Sequence, residues 1–189
     1  MNQPIAGVDE AGRGPLAGPV YAAAVILGKK EISGLDDSKK VSPARRQLLE
    51  QQIKEEAICW NVASASVEEI DEINILQASM LAMRRAILDL SIQPGQALID
   101  GNRIPSDLPC QATAIVGGDG IHAEISAASI LAKEARDRIM RLLSQSYPQY
   151  GFDKHKGYPT KAHLEALESY GVCEHHRRSF GPVSRIIER

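Results

Sequence analysis

The sequence predicts an α/β domain in which helices pack on one sheet. Strand-like runs come first along the chain, and long helical patterns then alternate with short strands, an order typical of this fold class. The 189 residues also fit one hydrophobic core. No internal repeat or low-complexity tract marks a boundary, and the clearest interruption is the loop from Tyr147 to Tyr158. We therefore expect residues 1–189 to form a single domain.

The first strands flank a loop rich in glycine and proline. Ile5 to Val8 and Val20 to Leu27 are apolar and partly β-branched, and the loop between them is of a kind that helices do not tolerate. We expect these two strands to pair as neighbours. A third strand is expected from Ile58 to Ser66, where the alternation has period two.

Two helices have clear start signals. Ser42 followed by Pro43 predicts a helix that runs to about Ala57, because the serine can cap free N–H groups and proline at the first helical position loses no bond. Ser66 and Glu69 match the reciprocal capping box, and apolar residues then recur at helical spacing until the turn at Pro94 and Gly95.

The remaining elements alternate. Short strands are expected from Ala97 to Asp100 and from Ala112 to Val116, each followed by glycine. A long helix follows from about Ile121 to Gln145, with apolar residues on one side. Pro159 and Gly171 then bracket a last short helix.

Bulk composition excludes several classes of protein. The longest strongly apolar stretch, Val20 to Leu27, is far below the roughly 20 residues that cross a bilayer, and no leader pattern precedes it. The three cysteines lack a C-x-x-C pair, which argues against a disulfide framework and fits a reducing cytoplasm. Since the net charge is −2, any phosphate-binding face must be local. The segment from Lys154 to Arg189 contains seven lysine and arginine residues and only four acidic residues, so it is the place to look for such a face.

Carboxylates end the short strands. Asp9 and Glu10 follow the first strand, and because successive strand side chains point to opposite faces, we expect both to lie just past its end. Asp100 ends another strand, and Asp119 follows a third after two glycines. Strand ends are where α/β sheets bind ligands, and such acids suit hard cations such as Mg²⁺ or Mn²⁺. For Asp119 alone, a helix cap is an equally good explanation.

Six motifs together carry a family resemblance. They are GVDEAGRGPLAGPV, DDSKK, LIDGN, SAASILAK with the following Arg136 and Asp137, HKGYPT and HHRRSFGPV. In order and spacing, from about Ile5 to Val183, they resemble bacterial type 2 ribonuclease H, the ribonuclease HII family. The resemblance implies a mixed five-stranded ribonuclease H-like sheet flanked by helices, with a C-terminal helical extension from about residue 147 that contacts the substrate.

The resemblance also implies an activity. The family hydrolyses the RNA strand of RNA–DNA hybrids and cuts 5′ of single ribonucleotides in duplex DNA, leaving a 3′-hydroxyl and a 5′-phosphate. By motif, Asp9, Glu10, Asp100 and Asp119 would hold two Mg²⁺ or Mn²⁺ ions and so form the catalytic centre. We expect a monomer whose partner is an RNA–DNA hybrid or a DNA duplex that contains ribonucleotides.

Substrate contacts follow from the same motifs. Gly12, Arg13 and Gly14 would contact the 2′-hydroxyl through main-chain groups, and Tyr158 would stack on the next sugar. Phosphate contacts are expected from three basic residues, although a solvated surface explains each almost as well: Lys39, Lys133 and Arg177. Two positions depart from the family pattern, Gly117 in place of lysine and Glu134 in place of an apolar or small residue.

The histidines offer no zinc-like spacing. We expect His175 and His176 at the surface near nucleic acid, His155 as a substrate contact and His122 as structural. Alternative functions stay open: another ribonuclease H-fold nuclease of the junction-resolvase type, a non-catalytic nucleic-acid-binding module, or a nucleotide-phosphate binder that uses the glycine loop.

Overall fold

The computed structural model describes residues 3–36, 38 and 40–189. Within them five strands form one mixed sheet in the order β3-β2-β1-β4-β5. The strands are β1 (Ile5–Ala11), β2 (Val20–Ile26), β3 (Cys59–Ala65), β4 (Gln96–Asp100) and β5 (Gln111–Ile115). The central strand β1 pairs antiparallel with β2 and parallel with β4. The expected mixed five-stranded sheet is confirmed.

Helices cover both faces of the sheet and continue beyond it. They are α1 (Pro43–Glu56), α2 (Val67–Leu88), α3 (Ala123–Ser146), α4 (Phe152–His155), α5 (Lys161–Tyr170) and α6 (Gly181–Ile187), with short 3₁₀ turns at Gly118–Gly120 and Pro148–Tyr150. The part after α3 is helical, as expected, but only α5 was predicted as a helix there. None of the described helices is both long and apolar enough to span a bilayer.

Alternation along the strands divides the apolar residues between two cores. Ala6 and Val8 of β1 face α2, while Ala23 and Val25 of β2 face α1 and α3. Helix α3 approaches β1 very closely at Gly7, where an added Cβ would lie 2.1 Å from the carbonyl carbon of Glu124. This close approach sets α3 directly against the strand that carries Asp9.

Both predicted helix starts are confirmed. The Ser42 side chain accepts a hydrogen bond from the N–H of Arg45, and the reciprocal capping box forms between Ser66 and Glu69. Helix α2 contains one feature that its apolar pattern did not predict, a kink at Asn74 with φ 68°. The Asn74 side chain accepts from the N–H groups of two following residues and so begins the helix anew.

Candidate active site

The strand that carries Asp9 and Glu10 extends farther than predicted. Pairing between β1 and β4 ends at Val8, but β1 continues through Asp9, Glu10 and Ala11 along β2 alone. The two acids therefore lie inside a strand, which corrects the expectation that they follow it. They are nevertheless at an end of the sheet, because the neighbour on one side has stopped there.

Asp9 is a buried carboxylate with little compensation for its charge. Asp9 is 5% exposed, and its Oδ1 accepts a 2.7 Å hydrogen bond from the N–H of Glu10. Burial raises the pKa of Asp9 well above its usual range, and the charges of Glu10 and Asp100 raise it further. Among the described residues, no lysine, arginine or histidine forms an ion pair with Asp9.

Glu10 and Asp100 complete this acidic wall, the name used here for Asp9, Glu10 and Asp100. Burial raises the pKa of Glu10, with a further contribution from Asp100, and the charge of Arg13 opposes the rise. Arg13 Nη1 lies 3.5 Å from Glu10 Oε1. Asp100 ends β4, and its Oδ1 accepts a 2.8 Å hydrogen bond from the N–H of Gly118.

Asp119 lies in the 3₁₀ turn directly after Gly118, at partial exposure. Its backbone carbonyl accepts a hydrogen bond from the Ser126 hydroxyl, and the carbonyl of His122 accepts a second one. His122 is the residue that precedes α3. The Asp100 side chain thus anchors the turn that carries Asp119.

The acids fit a hard cation by chemistry but do not form a closed cage. Within the described ranges, no three His, Cys, Asp or Glu side chains are grouped closely enough to hold an ion. The donors of the acidic wall are carboxylate oxygens, which Mg²⁺ and Mn²⁺ prefer. The buried charge of Asp9 also lacks a cation, so the residues present fit a divalent ion.

A cleft of about 300 Å³ opens beside Asp9 and Glu10. It contains most of the predicted site: its lining residues are Asp9, Glu10, Ala11, Gly12, Arg13, Gly14, Ser38, Ser129, Lys133, Arg136 and Tyr158. Asp100, Asp119 and Arg177 are not among them, and Lys39 lies outside the described residues. Ser38, Ser129 and Arg136 lie within the motifs that carry the family resemblance, but sequence reasoning gave none of them a role at the site.

Lys133 reaches the cleft from α3 but is already paired. Its Nζ lies 2.7 Å from Asp137 Oδ1, one helical turn away. The pair leaves the lysine partly exposed at the cleft, where a phosphate could exchange with the carboxylate. The phosphate contact of Lys133 stays a prediction.

The segment Gly12 to Gly14, called the GRG loop from here on, needs its glycines for contacts within the protein. Gly12 has φ +103°, and a Cβ there would lie 2.1 Å from Nε of Arg136. A Cβ on Gly14 would lie 3.3 Å from Cε1 of Tyr158. The first glycine therefore admits a buried arginine beneath the loop, and the second admits the tyrosine ring beside it.

Arg177 does not lie where a phosphate contact requires. It is 0% exposed, and its guanidinium donates to the carbonyl oxygens of Gly12, Arg13 and Gly18 at 2.6, 3.0 and 2.9 Å. The expected phosphate contact is therefore corrected, because the charged group is enclosed by the protein and each of its three nitrogens donates to a backbone carbonyl.

His176 is likewise buried, which corrects the expectation of a surface pair. It is 1% exposed, and its Nε2 lies 3.1 Å from Nε2 of His163. Burial lowers the pKa of His176 to about 4 and also lowers that of His163. His155 stacks on His163 and uses its ring nitrogens on the backbone of Tyr150 and Gly157, so these rings support the Tyr158 loop.

Comparison with known proteins decides the family. A family model described as ribonuclease HII matches residues 6–183. The chain is also 60% identical over 185 residues to a ribonuclease HII of Marinomonas sp. (strain MWYL1), covering 97% of this chain and 93% of the relative. The chain belongs to the ribonuclease HII family. It is accordingly a ribonuclease H, a hydrolase that acts on nucleic acid.

Solved structures agree with this assignment. The crystal structure of ribonuclease H2 from Pyrococcus horikoshii OT3 superposes with TM-score 0.80 at 29% identity, covering 98% of this chain and 97% of that one. The crystal structure of Bst-RNase HIII in complex with Mn²⁺ gives TM-score 0.75 at 17% identity, covering 99% and 70%. The second likeness concerns the fold alone.

The structure accounts for one departure from the ribonuclease HII pattern. Glu134 is 1% exposed, and its Oε1 accepts a 2.8 Å charged hydrogen bond from Nε of Arg46 on α1. The acid at this position is therefore an internal ion pair between α1 and α3. Gly117 has φ +67° with open space around it, so it supplies the turn and no side chain for a phosphate.

Proposed function

We propose that this chain hydrolyses the RNA strand of RNA–DNA hybrids and nicks duplex DNA on the 5′ side of single ribonucleotides, leaving a 3′-hydroxyl and a 5′-phosphate. The observation that carries the proposal is the cleft with two unlike walls. One wall presents the buried carboxylate of Asp9, which has no ion-pair partner among the described residues, and the other presents the GRG loop with Tyr158. Family membership supports the substrate class.

The proposed cofactors are two Mg²⁺ or Mn²⁺ ions. Asp9, Glu10, Asp100 and Asp119 would hold them, because carboxylate oxygens are the ligands that these ions prefer. Bst-RNase HIII, which shares the fold, was solved in complex with Mn²⁺. When bound, such ions activate a water and stabilise the leaving oxygen of a phosphodiester. Each bound cation would also offset the electrostatic repulsion between Asp9, Glu10 and Asp100.

The chain's own residues would orient the substrate. The GRG loop brings backbone N–H groups to the cleft, where a 2′-hydroxyl distinguishes RNA from DNA. Tyr158 is 43% exposed, and its ring offers a flat surface beside Gly14 for a sugar or base. Lys133 would position a phosphate without reading sequence. We further propose that the chain acts as a monomer and as one catalytic domain.

The test is a panel of three labelled duplexes incubated with the protein and either Mg²⁺ or Mn²⁺. One carries a single ribonucleotide, one an all-RNA strand paired with DNA, and one only DNA. We expect one nick in the first, several cuts in the second and none in the third, and no cleavage in the presence of a chelator. Cleavage of branched all-DNA substrates would favour a junction resolvase. Metal-independent binding without any cutting would favour a binding module.

A further inference from the structure

Beneath the GRG loop lie two buried arginines, Arg136 and Arg177. Arg136 donates to the carbonyls of Ala17, Pro19 and Lys156, and Arg177 donates to those of Gly12, Arg13 and Gly18. Within the described part of the chain, no acidic side chain is within ion-pair distance of either guanidinium. Burial lowers the pKa of Arg136 to about 10 and that of Arg177 to about 9.

The peptide geometry of the GRG loop determines where its N–H groups point. In a trans peptide, the carbonyl of one residue and the N–H of the next point to opposite sides. The carbonyls of Gly12 and Arg13 point inward to Arg177, so the N–H groups of Arg13 and Gly14 point away from it. Among the described residues, no backbone carbonyl accepts from either of these N–H groups, and both residues line the cleft.

A guanidinium suits this task better than an ammonium. Its planar fork reaches three carbonyls at fixed angles, whereas a lysine is a compact charge on a flexible stem. A charge-assisted bond to the carbonyl also polarises the peptide and strengthens the N–H on its far side as a donor. The same C-terminal segment is tied to the loop region by its backbone, through Arg177 N–H to Leu16 O at 2.8 Å and Gly18 N–H to His175 O at 2.8 Å.

We propose that Arg177 is a positioning residue that holds the Gly12 and Arg13 carbonyls inward and thereby aims the Arg13 and Gly14 N–H groups at the ribose 2′-hydroxyl. The proposal rests on the proposed function, since it assigns the origin of the preference for ribonucleotides over deoxynucleotides. Arg177 itself touches no substrate. Its loss should therefore change discrimination between the sugars more than it changes metal binding.

The first experiment compares Arg177→Lys with wild type and with Arg178→Lys, a matched change at the exposed neighbour. Binding is measured in Ca²⁺ to a duplex with one ribonucleotide and to the same duplex in all-DNA form. We expect Arg177→Lys to reduce the ratio of the two affinities about 10-fold, the size of a lost hydrogen bond of about 1.4 kcal/mol, and Arg178→Lys to leave it unchanged. Stabilisation by Mn²⁺ should be the same in all three proteins.

An unchanged ratio in folded Arg177→Lys would overturn the proposal, because a merely structural arginine lowers the melting temperature and leaves the ratio intact. Wild-type protein provides a second measurement that does not depend on folding of the variant. Its Arg13 and Gly14 amide resonances should move on binding the ribonucleotide duplex and move much less with all-DNA; equal movement would contradict the proposal. A wild type that cuts none of the duplexes would instead count against the proposed function.

Discussion

The two walls of the cleft bury charge in opposite ways. The acidic wall holds Asp9 with a hydrogen bond from the Glu10 N–H and, in the described part of the chain, no ion-pair partner. The opposite wall, formed by the GRG loop with Tyr158 and called the GRG wall here, is supported from beneath by Arg177, which has three carbonyl acceptors and likewise no ion-pair partner among the described residues. The arginine is compensated by the protein itself, so its wall is organised before any ligand arrives. The carboxylates still repel one another, so their wall depends on bound cations.

A third buried group shows what ordinary structural charge looks like in this protein. Arg46 bridges Glu134 at 2.8 Å and Asp137 at 3.6 Å, and it also donates to the carbonyls of Ser38 and Val41. Every charge in that network faces an opposite one. By contrast, buried Asp9 and Arg136, which have no ion-pair partner among the described residues, both line the cleft, and Arg177 lies beneath the GRG loop.

The largest effect is expected from a substitution in the acidic wall. Asp9→Asn keeps the shape and removes the central charge, so we expect cleavage to fall by about 10³-fold or more while substrate binding survives. The metal-free variant should also melt at a higher temperature than wild type, because repulsion with Glu10 and Asp100 is relieved. Cleavage assays and thermal melts with and without Mn²⁺ check both points. Near-normal cleavage would place the metal site elsewhere.

The next effect breaks the GRG wall. Gly12→Ala places a Cβ 2.1 Å from Nε of Arg136 at a positive φ, and we expect a loss of about 3 kcal/mol in the free energy of unfolding. Gly14→Ala is the matched control, since its Cβ meets only the edge of Tyr158 at 3.3 Å. It should cost less than about 1 kcal/mol and act mainly on substrate affinity. Urea unfolding separates them; equal losses would show that Arg136 is not the obstacle.

Sequence patterns predicted much of the acidic wall and little of the GRG wall's support. An apolar run that stops at an acid is a local signal, and it identified Asp9, Glu10 and Asp100 as neighbours at one end of the sheet. It misjudged the end of β1, because Asp, Glu and Gly12 are poor strand formers and only the pairing with β2 extends the strand. Asn74 was missed since asparagine tolerates a left-handed kink inside an apolar helical pattern.

Arg177 and His176 could not have been placed from the sequence. Two adjacent histidines and two adjacent arginines have the composition of a solvated surface, and base rates favour exposure for such residues. Their burial depends on acceptors far away in the chain, since Arg177 bonds carbonyls of Gly12 and Gly18 and His176 bonds His163. Hydrogen-bond partners that are distant in the chain leave no sequence pattern next to the residue that they bind.

A smaller effect is expected from a buried charge that does have an ion-pair partner. Glu134→Gln removes one partner of Arg46 and leaves a buried cation undercompensated, so we expect a loss of about 2 to 3 kcal/mol in the free energy of unfolding. Cleavage per folded molecule should stay within about 2-fold of wild type, because Glu134 lies outside the cleft lining. Denaturant unfolding and kcat at saturating substrate check this. A large fall in kcat would show that the network does act on the site.

The smallest effect concerns a third way to bury a titratable group, which is to keep it neutral. Burial lowers the pKa of His176 from the usual 6.5 to about 4. Between these two pH values the folded state therefore binds fewer protons than the unfolded state. Stability is therefore intact above about pH 6.5 and falls as pH drops toward 4, by about 2 kcal/mol at pH 5 for one such group. Urea unfolding at pH 8 and pH 5 measures the difference, and His176→Gln should flatten it. An unchanged slope in that variant would assign the acid sensitivity to other groups, His163 first among them, because its ring shares the proton of the His176 contact.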